Sequence, residues 1–131
     1  MQEVITVFVR VEQAFAVRGQ AGSATMLLFS GYANGDNFKG KILPGAVDCQ
    51  KTDVNGFTLS ARYILEGEDG EGKNCKIFIE NNGATDEKGI IHTKPLVYTD
   101  SDSLKWLETA PLTGHISEKD GMIIIHICIE K

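Results

Sequence analysis

The sequence predicts a single antiparallel β-barrel, closed on itself and built from about eight strands, and three observations point that way. Tight-turn dipeptides recur along the chain at Asn34-Gly35, Asn55-Gly56, Asp69-Gly70, Asn82-Gly83 and Asp120-Gly121. Each can take the positive φ that two-residue hairpins require. Between them lie short runs rich in β-branched and aromatic residues, and only one stretch has helical character.

The strand-like runs are Val4 to Val11, Thr25 to Tyr32, Phe57 to Leu65, Cys75 to Glu80, Ile90 to Thr93, and Met122 to Glu130. Phe57, Leu59, Ala61, Tyr63 and Leu65 alternate with Thr58, Ser60 and Arg62, the pattern of a half-buried strand. Met26 to Phe29 and Met122 to Ile125 are apolar on both faces, so each needs cover on both sides. The predicted helix covers Ser101 to Thr109: Asp100 or Ser101 can cap it, Leu104 and Leu107 share a face, and Pro111 stops it. One short helix cannot cover two strands, so a homo-oligomer, a dimer or higher, is expected to bury some of the outer surface.

The 131 residues and 42% hydrophobic content suit one domain, 1–131, with a core that needs no disulfides. A formal net charge of -5 offers no basic stripe, which argues against nucleic acid and anionic membranes as partners. Cys49, Cys75 and Cys128 are odd in number and far apart, as reduced thiols of a cytoplasmic protein would be. The first ten residues form neither a signal peptide nor a membrane span. Neither a metal nor a cofactor is expected, since no His or Cys spacing forms a ligand set and no phosphate-binding loop is present.

Gly31 to Gln50 is the most unusual stretch. Its glycines, Gly31, Gly35, Gly40 and Gly45, suit bends and bulges where a sheet curls. The run Gly31, Gly35, Gly40, Leu43-Pro44-Gly45 and Asp48 resembles the signature of the small-barrel family known as domain of unknown function 3237. Arg62-Tyr63, Asn82-Gly83, Thr93-x-Pro95 and Trp106-Leu107 follow in that family's order, so the resemblance extends over nearly the whole chain. It implies a lipocalin-like antiparallel barrel, commonly oligomeric, with no established general activity. His92 stands where the family often has Arg, and Glu108 where it often has Asn.

A carboxylate and a guanidinium facing each other inside a barrel would anchor a polar ligand group, which singles out Asp48 and Arg62. The competing reading puts Arg62 on the solvent face and Asp48 in a turn. Tyr63, His92, Trp106 and Glu108 complete the candidate ligand-binding set, with His92 the preferred imidazole and Trp106 across one barrel end. His126 shares parity with Met122, Ile124 and Cys128 and reads as a buried structural histidine. Three functions are compatible with these residues. The first is a small-molecule-binding barrel. The second is a cofactor-free isomerase, cyclase or lyase with His92 or Asp48 as base and Arg62 on an oxyanion. The third is a filled structural barrel acting through its oligomer surface.

Overall fold

The computed structural model describes residues 1–130 as one continuous antiparallel sheet. Its strands are β1 (Gln2–Arg18), β2 (Gly22–Ala33), β3 (Phe38–Ile42), β4 (Val47–Asp53), β5 (Gly56–Asp69), β6 (Asn74–Thr85), β7 (Ile91–Thr99), β8 (Leu112–Lys119) and β9 (Met122–Ile129). Neighbours in sequence are neighbours in space, and β1 pairs with both β2 and β9, which closes the ring. Closure removes the open edges that would otherwise template aggregation.

The nine strands make eight staves, because β3 and β4 lie end to end between β2 and β5. The last residues of β2 pair with β3 and the first with β4; β5 divides in the same way. Leu43-Pro44-Gly45-Ala46 interrupts this stave, yet its backbone stays tied to both sides: the Leu43 N–H donates to the Ile64 carbonyl at 2.8 Å and the Phe29 N–H to the Ala46 carbonyl at 3.2 Å. Relative to both neighbours the interrupted stave carries two extra residues. A slip of one residue exchanges the faces of a strand, whereas two preserve them. Ile42, Ala46 and Asp48 therefore all stay on the inner face.

The two ends of the barrel differ. The end holding the 34–37 and 69–73 turns is filled by Phe38, Leu65, Ile77, Leu104, Leu107 and Ile127, all buried. The 100–111 segment crosses this end. Its anchor is Asp69, whose Oδ2 accepts from the Ser101 hydroxyl at 2.8 Å and whose Oδ1 accepts from the backbone of Glu71 and Lys73. These bonds, the Ser101 hydroxyl foremost, hold the Asp69 carboxyl below the usual range.

Several expectations change here. Instead of a helix over 101–109, a single 3₁₀ turn forms at Lys105–Glu108. The capping groups are engaged elsewhere: Ser101 donates to Asp69, and the Asp100 carboxylate accepts from the Lys76 N–H. Leu104 and Leu107, three apart, fit the three-residue repeat of the tighter helix. The Asn82-Gly83 pair is no turn; it lies within β6, where Gly83 faces Thr93 so closely that an added Cβ would come within 2.6 Å of the Thr93 methyl. The polar strands β3, β4 and β8 lie outside the predicted runs altogether.

The apolar outer positions of the barrel are partly covered by its own neighbours. Phe8 and Tyr32 stack at 5.0 Å beside Ile124, and Phe78 stacks on Tyr98 at 6.0 Å. Phe15, Val17 and Met26 remain exposed. No helix among the described residues is long and apolar enough to cross a membrane.

Gly31 has φ 151°, and a Cβ there would lie 1.9 Å from the Phe8 carbonyl oxygen. Gly31→Ala is expected to lower unfolding stability by about 1–3 kcal/mol or more, from backbone strain plus this collision. Denaturant titration checks it, with the midpoint falling while the slope stays constant.

Candidate functional site

A cavity of about 170 Å³ lies inside the other end of the barrel, where the 19–21, 54–55, 86–90 and 120–121 turns lie. Its wall is mostly aliphatic and aromatic: Val9, Val11, Leu27, Phe29, Leu59 and Ala61, with Ile91, Ile116, Ile123 and Ile125 opposite. Three polar side chains, Asp48, Gln50 and Asn81, interrupt it.

Strand register explains this placement. Asp48 pairs with Ala61, and Ala61 with Asn81, so the three form one inward row across β4, β5 and β6. With strands spaced about 4.8 Å apart, the two polar residues flank Ala61 across roughly 10 Å of sheet. Ala61 is too small to fill the space between them. Gln50 follows Asp48 on the inner face toward the open end, and its amide Nε2 donates to Asp48 Oδ2 at 3.0 Å. The other carboxylate oxygen, Oδ1, is buried and has no hydrogen-bond partner in the protein. Asn81, only 1% exposed, likewise leaves its carbonyl Oδ1 unpartnered.

Two further buried oxygens lack partners. Thr93 Oγ1 lies on β7, and Thr93 opposite Gly114 is the single register pair that joins β7 to β8. The Tyr63 hydroxyl sits deeper on β5, with its ring edge-to-face on Phe29 at 5.5 Å. Leaving such an atom unpaired typically costs about 1–3 kcal/mol, and native proteins rarely leave several together. Burial pushes the Asp48 carboxyl above its ordinary range, with Gln50 and the Ser60 backbone pulling it back. Burial also raises the Tyr63 hydroxyl.

The predicted set separates. Asp48 lines the cavity and Tyr63 is buried below it, but Arg62 points outward, opposite Glu80, and pairs with it at 3.0 Å with 60% of its side chain exposed. The facing Asp48–Arg62 pair is therefore absent: on β5, Arg62 has the opposite parity to Ala61. His92 is outward too, opposite Ala84, and bonds Asp86 Oδ2 at 2.7 Å. It fastens the 86–90 turn, where Asp86 also accepts from the Lys88 and Ile90 N–H groups, and these bonds, His92 first, lower the Asp86 carboxyl. Trp106 and Glu108 belong to the filled end. Leu107 is the residue inserted there, Trp106 is 39% exposed, and Glu108 accepts from the Thr99 N–H.

His126 is not a buried histidine. It lies outward across from His115 and bonds Glu3 and Ser117. Cys75 and Cys128 are buried and Cys49 is half-buried, all as free thiols. Among the described residues no three His, Cys, Asp or Glu side chains converge as a metal-ligand group.

Gln50, Asn81 and Thr93 are the inner polar residues that sequence reasoning passes over. Asn81 carries a readable signal: it shares parity with Ile77 and Ile79, so it is a polar residue in the inward series of an apolar strand. Reading Asn82-Gly83 as a turn hides it by ending the strand at Glu80.

The sequence model of the family described as protein of unknown function (DUF3237) matches residues 1–92. The chain belongs to that family. A UPF0311 protein of Clostridium acetobutylicum is 37% identical over an alignment of 87 residues that covers 63% of this chain and 52% of that protein. The match thus spans about half the length of that curated relative. A protein of unknown function from the same bacterium, solved by crystallography, superposes with a TM-score of 0.80 at 27% identity and 98% coverage of both chains. A β-barrel-like protein from Acinetobacter baumannii gives 0.73 at 17% identity, covering 99% of this chain and 94% of its own. An enzyme from Penicillium herquei gives 0.71 at 15%, covering 96% and 92%. The last two likenesses concern the fold alone.

The raised Asp48 carboxyl has a definite pH signature. Protonated, it contributes stability that is complete below its unfolded-state pKa and is lost as pH rises through its higher folded-state value. Relative to wild type, Asp48→Asn is expected to gain stability as pH rises through that window and to converge with it at lower pH. Denaturant unfolding at a series of pH values measures the difference.

Proposed function

We propose that this protein is a small-molecule-binding barrel whose ligand occupies the open-end cavity. The observation that carries this reading is the pair of unpartnered buried oxygens, Asp48 Oδ1 and Asn81 Oδ1, on side chains that line an otherwise apolar cavity. Pockets that hold small molecules have this composition, an apolar wall with a few placed polar groups. Eight-stave barrels are at the size where side chains either fill the interior or leave room for one small ligand. About 170 Å³ remains here because Ala61 occupies an inward position that a larger residue would fill. An aliphatic cavity of about 150 Å³ is enough to take up benzene, so the ligand body is about one ring in size.

A cofactor-free enzyme is the second reading, and Asp48 favours it. A carboxyl whose proton affinity is raised by burial, next to a cavity, is suited to exchanging a proton with a bound molecule. The Penicillium herquei enzyme of the same fold adds support of the fold alone. In this reading Asp48 is the acid or base, and the base role of His92 and the oxyanion role of Arg62 are dropped because both side chains point away from the cavity. Self-association remains part of the proposal, supported by the exposed Phe15, Val17 and Met26 on the outer face.

Filling the cavity tests the first reading. Ala61→Leu is expected to cost about 1–3 kcal/mol through overpacking while leaving a folded barrel. A thermal-shift screen of small single-ring metabolites should give saturable stabilisation of wild type, about 2.7 kcal/mol at a hundredfold excess over Kd, and none of the variant. Equal shifts in both proteins would place the ligand elsewhere.

A further inference from the structure

The chemical class of the ligand can be read from what the cavity offers and what it withholds. None of the thirteen lining residues is Lys, Arg or His, and the two cationic candidates from the sequence, Arg62 and His92, both point outward. Among the lining residues the unpartnered buried oxygens are the Asp48 carboxylate Oδ1 and the Asn81 carbonyl Oδ1, and both accept hydrogen bonds; the unpartnered Thr93 and Tyr63 hydroxyls lie outside the lining. Of the two lining amides, Gln50 spends its Nε2 on Asp48 Oδ2, which leaves the neutral Asn81 Nδ2 as the single free amide donor beside two acceptors and no cation. An incoming carboxylate, sulfate or phosphate would therefore meet a carboxylate, find no cation, and lose its hydration in an apolar shell. Each of these contributions is unfavourable. A hydroxyl or amine carried on an apolar ring would instead give Asp48 Oδ1 the hydrogen bond it lacks, a charge-assisted one when the carboxylate is ionised.

We infer that the cavity selects hydrogen-bond donors, taking a molecule of about one ring that bears a hydroxyl or amine aimed at Asp48 Oδ1, and that it rejects anions. This inference rests on the binding-barrel reading and narrows it to one chemistry. Asp48 then sets specificity, while the aliphatic wall supplies most of the affinity.

Four probes of similar size separate the possibilities: benzylamine, benzyl alcohol, toluene and benzoate, titrated calorimetrically into wild type and Asp48→Asn at neutral pH. In wild type, benzylamine or benzyl alcohol should bind about tenfold or more tighter than toluene, the scale of one hydrogen bond to a charged group. Benzoate should give no detectable heat. The comparison of amine with alcohol tells which donor the site takes, and a preference for either supports the inference. In Asp48→Asn the better donor's advantage over toluene should fall about tenfold while toluene binding persists. Benzoate binding as tightly as the donors would overturn the inference, as would a donor advantage that survives in Asp48→Asn. Toluene binding with no donor preference would overturn it while leaving the cavity reading intact. Silence from all four probes in folded wild type would overturn both. Because the wild-type comparison is decisive on its own, the test does not depend on the variant folding.

Discussion

Closure of the sheet is the constraint on which everything else depends. β1 pairs with β2 along one side and with β9 along the other, so every stave has two partners and one face turned inward. Once the ring is shut, its circumference fixes the interior volume, and the inward side chains decide how much is left over. At one end, large residues and the 100–111 segment, tied down by Asp69 and Ser101, use all of it. At the other, the small Ala61 leaves part of it unfilled. A packed base and a cavity at the mouth follow from the same ring.

The family's Leu43-Pro44-Gly45 segment has a structural role in this arrangement. It breaks one stave and inserts two residues without exchanging its faces, so Asp48 arrives on the inner surface beside Ala61 and Asn81. A one-residue insertion would have turned the carboxylate to solvent. The polar character of the cavity thus depends on a glycine- and proline-containing interruption several residues away, which is where a feature read as purely architectural meets the site.

The fold was legible where residue chemistry alternates with the strand period. Phe57 to Leu65 shows two distinct faces in its alternation, and Asn55-Gly56 and Asp120-Gly121 mark true turns. β4 was hidden because its residues, Val-Asp-Cys-Gln-Lys-Thr-Asp, owe their strand conformation to pairing on both sides rather than to intrinsic preference. The short helix was overread because its caps are consumed by tertiary hydrogen bonds, which no local pattern reveals. In the candidate site, Asp48 was found and Asn81 missed. Arg62 suits a carboxylate partner and His92 suits acid–base chemistry, but their positions opposite Glu80 and Ala84 put both on the outer surface. Parity between neighbours was readable; which parity faces inward was settled only by the closed ring.

The central claim is that the open end of the barrel admits a small ligand against the Asp48–Ala61–Asn81 row. Backbone amide resonances recorded during a titration with benzyl alcohol test it directly. The account predicts saturable shifts concentrated on β4, β5 and β6 around those three residues and on Ile91 and Ile116 at the mouth, with the 100–111 segment unmoved. Shifts confined to the outer Phe78–Tyr98 face, or none at all at saturating probe, would contradict it.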